Sequence, residues 1–366
     1  MEQLKTPGLI LDIERVRRNA RAMSDRADRL GVRLRPHIKT HKCIEAARIQ
    51  SAGRDGAITV STLAEARVFA ANGTTDITYA VPIEPGKFEA AIGLLRTGVT
   101  LNLLTDDADT ARMLDEAAGR AGVKLNVFVK IDCGTHRVGV EPHSAAAIDI
   151  PRLITDAANL HFAGILTHAG HSYDAGTVDE IRAVARHERD CMVELAGRLR
   201  ADSIAVPTVS VGSTPTMSLV DDLTGIDEIR PGNYIFYDNF QATLGSCSFE
   251  DTALTVLAAV IHVSDGKLVI DAGGIAMSKD RGPFGLDPSC GYGRVLDLDG
   301  SDTGMRLTSL SQEHGVIENN ENLSFKVGDR LRILANHSCM TAAQHTHYNV
   351  LENGEIVDSW KIHTGW

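Results

Sequence analysis

The sequence predicts an α/β protein: a TIM-type (β/α)8 barrel over residues 10–245, with an additional C-terminal β-domain over residues 246–366 that also takes in residues 1–9. Three observations predict it. Short β-type runs alternate with helical patterns through the first part of the chain, and such alternation means a parallel sheet. Eight of these units within about 200 residues are what a closed barrel needs. After Leu244 the helical periodicity gives way to β-type runs joined by Gly, Asp and Asn turns, which reads as a separate β-domain. An open doubly wound sheet is the nearest competitor, but no G-x-G-x-x-G follows the first strand.

In chain order, Gly8–Asp12 is β-like and is a candidate to pair with the C-terminal domain. The barrel strands are expected at Arg33–Lys39, Ala57–Thr62, Asp76–Val81, Thr100–Thr105, Leu125–Asp132, Phe162–His168, Ala205–Gly212 and Glu228–Ile235. Apolar, β-branched and aromatic residues bounded by Gly, Pro, Asn or Asp mark each run. Helical spacing of apolar residues fills the intervals at Leu63–Asn72, Asp106–Ala121 and Asp179–Arg200. In the β-domain, strands are expected at Ala253–Val263, Lys267–Asp271, Leu331–Leu334, Tyr348–Leu351 and Ile356–Trp360.

Composition excludes several classes. Charged residues at 23% and apolar residues at 43% are those of a globular core former. The net charge of -11 is spread along the chain, which argues against nucleic acid or an anionic membrane as partner. The polar start Met1-Glu2-Gln3-Leu4-Lys5-Thr6-Pro7 gives no expectation of a secretory leader, and no apolar run approaches spanning length. The six cysteines form no C-x-x-C pair, so reduced thiols in a cytoplasmic protein are expected.

The active site of such a barrel lies at the C-terminal ends of its strands. Lys39 closes the first strand there, and a buried lysine with a lowered pKa is a nucleophile able to form an imine with an aldehyde cofactor. Lys42 is the nearby competitor, expected in the following helix. A lone lysine more often caps a loop, so the neighbours decide. After the fifth strand, Asp132-Cys133-Gly134-Thr135-His136-Arg137-Val138-Gly139 offers Arg137, whose fork suits a phenolate oxygen or a structural ion pair. After the sixth, the ring of His168 suits stacking on a flat cofactor and Tyr173 suits reaching the reacting centre; both also suit packing at the strand mouth. After the seventh, Gly212-Ser213-Thr214 at the start of a short helix offers N–H groups and hydroxyls to a phosphate, or is an ordinary N-cap. After the eighth, Gly232 allows close backbone approach to the same phosphate, with Asn233 and Tyr234 beside it.

These segments resemble the fold-type III pyridoxal-phosphate enzymes, the alanine-racemase-like family. The match runs through Asp132 to Gly139, Gly164-Ile165-Leu166-Thr167-His168 and Arg230-Pro231-Gly232. The chain is more closely similar to the D-serine dehydratase and D-threonine aldolase branch, along essentially its whole length. Arg35-Pro36-His37-Ile38-Lys39-Thr40-His41-Lys42, Glu313-His314-Gly315 and Asn336-His337-Ser338-Cys339 carry that resemblance. It implies a barrel plus β-domain, a homodimer, pyridoxal phosphate held by Lys39 with Arg137 on its phenolate, His168 behind its ring and glycine segments on its phosphate, and a divalent metal.

His337 and Cys339 stand two residues apart and, on an extended strand, share a face. Imidazole plus thiolate favours zinc, and two ligands leave positions for water and substrate. A buried thiol beside a polar histidine is the ordinary alternative. His345 and His347 repeat the spacing as lesser candidates. The aldolases resemble His-Cys-Asp at this place, a pair suited to manganese or magnesium, whereas His337-Ser338-Cys339 is similar to the dehydratases. The resemblance therefore implies loss of water from a D-β-hydroxy amino acid (D-serine, D-threonine or D-3-hydroxyaspartate) to give a 2-oxo acid and ammonia. Retro-aldol cleavage to glycine and an aldehyde is the alternative within the family. A non-catalytic pyridoxal-phosphate carrier is the alternative outside it. Arg281 and Arg294 are candidates for a substrate carboxylate.

Overall fold

The computed structural model describes every residue except Glu2, Asp265 and 319–323. Strand β1 (Gly8–Asp12) and helix α1 (Ile13–Arg29) open the chain, and β2 (Arg33–Leu34), α2 (Ile44–Gln50), β3 (Ile58–Val60), α3 (Leu63–Ala71), β4 (Asp76–Pro82) and α4 (Phe88–Leu95) follow. The alternation continues with β5 (Thr100–Thr105), α5 (Ala108–Ala121), β6 (Leu125–Lys130), α6 (Ala146–Asp156), β7 (Leu160–Leu166), α7 (Val178–Ala201), β8 (Val209–Val211), α8 (Thr214–Leu219) and β9 (Glu228–Ile229). Strands β2 to β9 make one parallel sheet in the order β2-β9-β8-β7-β6-β5-β4-β3. A parallel bridge from His37 to Thr59 joins its two ends and closes the barrel.

Local chemistry explains the helix starts. Thr62 and Thr177 each cap a helix through a reciprocal box with the glutamate three residues on, Glu65 and Glu180. Asp107 caps α5, which stops at Gly122 in the left-handed region. Inside the barrel a polar belt links neighbouring strands. The Arg35 guanidinium meets Asp76 at 2.7 Å and Glu228 at 2.6 Å. Asn102 donates to Asp76, Asn126 donates to Asn102, and Ser210 donates to Glu228.

The first strand is shorter than expected. The N–H groups of Arg33, Arg35 and His37 still bond the carbonyls of Asp227, Ile229 and Pro231, so the ladder reaches His37. The chain then turns through a 3-10 segment, Ile38–Thr40, which places Lys39 on a turn rather than in a strand. Likewise Asn233–Ile235 is a 3-10 turn and not the end of β9. Lys42 lies before α2, not within it, at a positive φ of 48°.

The second sheet holds β10 (Leu254–Ser264), β11 (Lys267–Ile270), β12 (Gly293–Leu296), β13 (Asp302–Leu310), β14 (Gly315–Glu318), β15 (Arg330–Ala335), β16 (His347–Glu352) and β17 (Glu355–Lys361). Helices α9 (Asn239–Leu244), α10 (Gly274–Met277) and α11 (Ser338–Ala342) lie in the same part of the chain. The order is β11-β14-β13-β12-β15-β10-β1-β16-β17, and β10 also pairs with β11. The long β10 bonds β15 through its first half and β11 through its second, so six antiparallel strands close on themselves. Strand β1 pairs with β10 and β16, as the N-terminal pattern suggested. Strands β12 to β14 had no sequence expectation. Apolar residues of both flanks fill one core, among them Leu9, Leu11, Val256, Leu268, Leu307, Ile317, Ile333 and Tyr348.

The chain divides into two compact units: residues 1–21, 40–50 and 233–364 in one, and 22–39, 51–232 and 365–366 in the other. This runs differently from a single division at 245/246. Hydrogen bonds show why: Ala253 N–H donates to Phe236 O, Asn19 donates to Ile235 O, and Tyr348 Oη donates to His41 O, all within the β unit. No described helix is long and apolar enough to cross a membrane.

Candidate active site and metal pair

In the barrel unit, Lys39 is exposed on its turn, contrary to the expected burial. Its charge is one of the causes acting on His168, together with Lys130 and Arg230. Burial first, then those cations, hold the His168 imidazole well below its ordinary pKa, so the ring is neutral at pH 7. Its Nδ1 lies 2.9 Å from the Gly212 carbonyl. A carbonyl only accepts, so the proton sits on Nδ1 and Nε2 is bare.

The loop after β6 is built around Asp132. One of its oxygens accepts N–H bonds from Gly134, Thr135 and His136 at 2.9, 2.9 and 3.1 Å. Gly139 closes the loop at φ +118°, where a Cβ would lie 2.7 Å from Asp132 N. The loop leaves Arg137 exposed and without a carboxylate partner among the described residues. The structural ion pair that was its alternative is therefore not formed. Tyr173 sits half-buried in a 3-10 turn, Gly170–Asp174, whose Ser172 hydroxyl meets that of Ser213 at 2.9 Å.

Gly212 is buried at φ +121°, and a Cβ there would come within 3.2 Å of Arg230 N. Ser213 caps α8, with both its N–H and its hydroxyl bonded to Thr216. Its polar groups are thus engaged within the chain, and Thr214 and Gly232 are buried as well. Sequence reading missed three buried charges of this unit. Lys130 ends β6 and is pushed down to about 8 by burial and by the Arg230 charge. Arg230 is pushed down to about 10 by burial and donates to Ser210 and to the carbonyls of Val211 and Thr167. Glu188 on α7 is the third. For Lys130 and Arg230, a charged residue within or next to an otherwise apolar β run was the available signal; Glu188, on a helix, had none.

A dianionic aldehyde fits this donor set. Lys39 presents an exposed amine, and the Lys39, Lys130 and Arg230 charges act together on His168.

In the β unit, Asn233 and Tyr234 are buried in their 3-10 turn. The Asn233 side chain, expected as a phosphate donor, is engaged within the protein. Its Nδ2 donates to Asp238 at 2.7 Å and Ser338 at 3.0 Å and lies 3.5 Å from Cys339 Sγ. His337 and Cys339 are also not on a strand: β15 ends at Ala335, His337 is the N-cap of α11 and Cys339 lies in its first turn. The strand-to-helix turn brings the two side chains into a hydrogen bond nonetheless. Burial alone would raise the Cys339 thiol, but the bond and charge of His337 bring it down to about 7. Thr40 Oγ1, at 3.2 Å from Sγ, adds to this.

Asp280, a residue the sequence did not single out, meets His337 Nδ1 at 2.6 Å. Against the effect of burial, it and Cys339 raise the imidazole to about 11. With Nδ1 on a carboxylate, Nε2 is the nitrogen left for a metal, the usual carboxylate–histidine–metal arrangement. The proton between imidazole and thiolate is what a cation displaces, so the pair fits zinc. Among the described residues no group of three or more His, Cys, Asp and Glu is arranged to hold a metal. His345 bonds the Ala276 carbonyl and His347 bonds Thr346, so neither joins the pair. Arg294 is engaged by Asn239 and Asp302, whereas Arg281 lies exposed over Phe284 beside a cavity of about 480 Å³.

Known proteins match this architecture. Residues 11–239 match the alanine racemase N-terminal domain, and residues 253–351 match the serine dehydratase domain. D-threo-3-hydroxyaspartate dehydratase of Delftia sp. is 41% identical, the match covering 99% of this chain and 98% of that one. D-serine dehydratase of Dictyostelium discoideum is 35% identical over 100% of this chain and 98% of its own length. The structure of a cysteine-to-alanine mutant of D-threo-3-hydroxyaspartate dehydratase, in the metal-free form, superposes with a TM-score of 0.95 at 40% identity, covering 100% of this chain and 99% of that one. The chain belongs to the alanine-racemase-like, fold-type III pyridoxal-phosphate family, in the branch of the D-serine dehydratases and D-threonine aldolases.

Proposed function

We propose that this protein removes water from a D-β-hydroxy amino acid, giving a 2-oxo acid and ammonia, with pyridoxal phosphate and zinc as cofactors. The chain-long match to a D-threo-3-hydroxyaspartate dehydratase carries this reading. It puts D-3-hydroxyaspartate first among the substrates to be tried, ahead of D-serine and D-threonine.

Pyridoxal phosphate supplies, when bound, an electron sink for charge developing at the substrate α-carbon, and zinc supplies a Lewis acid for the β-oxygen. The protein's own residues do the rest. Lys39 would hold the aldehyde through Nζ and, when freed, would take the substrate α-proton at the same atom. Arg137 would bind the cofactor's ring oxygen, and neutral His168 would back the ring without adding a charge. Gly212, Ser213, Thr214, Gly232, Asn233 and Tyr234 are proposed around the phosphate, chiefly through main-chain N–H groups, since the side chains of Ser213 and Asn233 are engaged within the protein. Tyr173 is proposed at the reacting centre. His337 through Nε2 and Cys339 through Sγ hold the metal.

The six cysteines are all free thiols, consistent with the cytoplasm we propose. A homodimer is part of the same proposal. Incubation with D-3-hydroxyaspartate, D-serine and D-threonine, following oxo acid, ammonia, glycine and aldehyde, tests the reading. Glycine and aldehyde without ammonia would establish retro-aldol cleavage instead.

A further inference from the structure

Glu188 is a buried group that the proposed chemistry leaves unused. It sits on α7 and is 1% exposed. Its Oε1 accepts the N–H of Ala169 at 3.1 Å and the N–H of Gly212 at 3.0 Å. Its Oε2 accepts the Thr216 hydroxyl at 3.2 Å. A carboxylate this deep is rare unless specific donors hold it there.

The two N–H groups belong to informative peptides. The Ala169 N–H is part of the peptide that follows His168. The Gly212 N–H is part of the peptide that precedes Gly212, whose own carbonyl accepts from His168 Nδ1 at 2.9 Å. One glutamate oxygen therefore anchors both ends of the His168–Gly212 hydrogen bond. Gly212 needs such an anchor, because at φ +121° nothing in its own side chain restricts it. Thr135 braces the same corner, its hydroxyl donating to the His168 carbonyl at 2.8 Å.

We propose that Glu188 is a positioning residue: by holding the ends of β7 and β8 on one oxygen, it fixes the His168 ring and keeps its proton on Nδ1, leaving Nε2 unprotonated. The proposal rests on the reading of His168 as a cofactor-facing residue. The glutamate's charge also sits close enough to influence Arg230 and Lys130, so the same group offsets two buried cations.

The test uses the full-length protein with 15N-labelled histidine. Three variants are compared with wild type for the His168 tautomer, read by NMR, and for the affinity of the apoprotein for pyridoxal phosphate, read by its visible absorbance. E188Q keeps an oxygen that accepts both N–H groups, so the Nδ1–H tautomer and an affinity within about threefold of wild type are expected. E188L removes the acceptors, and a mixed tautomer with affinity at least tenfold weaker is expected. E188D keeps the charge but withdraws the oxygens by one methylene, so it decides the matter if E188L does not fold: a mixed tautomer and weaker affinity are expected. A wild-type tautomer and affinity in folded E188L or in E188D would overturn the proposal. Should the wild type itself have no affinity for pyridoxal phosphate, the functional reading fails, while the tautomer comparison still decides the role of Glu188.

Discussion

At the residue scale, the candidate site consists of a few side chains after the barrel strands and of the His337–Cys339 pair, which Asp280 and Thr40 support. Lys39, Arg137, His168 and the glycine-bearing strand ends stand at strand mouths of the barrel unit. What was not legible depends on partners distant in the chain. Asp280 lies 57 positions before His337, and no local pattern announces it. Asn233 stands next to a phosphate-type glycine, yet its side chain turns to Asp238 and Ser338, because Ser338 lies 105 positions away in sequence but within hydrogen-bond reach. Two outcomes are expected at this scale. Borohydride reduction of the cofactor-loaded protein, followed by peptide mapping, should label Lys39; a label on Lys42 with Lys39 free would overturn the assignment. Asp280→Asn should weaken zinc binding by about 10- to 100-fold through loss of the bond that orients His337. Competition with a chromogenic chelator measures this, with pyridoxal-phosphate affinity unchanged.

At the element scale, the barrel strands were legible because each is a short apolar run between turn residues; Thr100–Thr105 matches its expected bounds. The β12, β13 and β14 strands were not, since Gly304, Asp302 and Thr303 interrupt the alternation and β12 and β14 are four residues each. The structure brings His337 and Cys339 together, but not on a strand, because α11 begins between them in the chain. The capping box of α7 makes a measurable prediction: Thr177→Ala should cost about 1 kcal/mol of stability in denaturant unfolding, since the N-cap hydroxyl satisfies an otherwise open N–H. The polar belt of the barrel makes another. Burial alone would raise the Asp76 carboxyl, but Arg35 and Arg33 outweigh it and hold the pKa below its ordinary value. A folded-state pKa below the unfolded one stabilises the protein fully above about pH 4 and ceases to do so as pH falls through the folded value. Asp76→Asn should therefore flatten that part of the acid-unfolding curve. Losing one member of a buried ion pair costs about 3–5 kcal/mol at neutral pH, and the lower end applies here because the Asp76 side chain is 25% exposed. An acid-unfolding curve of unchanged shape would show that Asp76 carries no such linkage.

At the scale of the whole molecule, two closed sheets explain the split of roles. One parallel barrel presents an exposed lysine, a neutral histidine and two buried cations after its strands. One antiparallel barrel presents an imidazole and a thiolate held by Asp280, Thr40 and Asn233. The sequence made the parallel sheet and part of the antiparallel one visible, and left the interleaved division of the chain between the units hidden, since residues 40–50 join the β unit by contacts no local pattern encodes. The central claim is that one protein uses pyridoxal phosphate and a metal on His337 and Cys339 to eliminate water from a D-β-hydroxy amino acid. The most direct measurement follows ammonia and oxo acid from D-3-hydroxyaspartate and D-serine before chelation, after chelation and after zinc is restored, with bound pyridoxal phosphate monitored throughout. The account predicts both products from at least one substrate, at least a hundredfold loss on metal removal with the cofactor retained, and recovery with zinc. Undiminished elimination by the metal-free protein, or release of glycine and an aldehyde in place of ammonia, would contradict it.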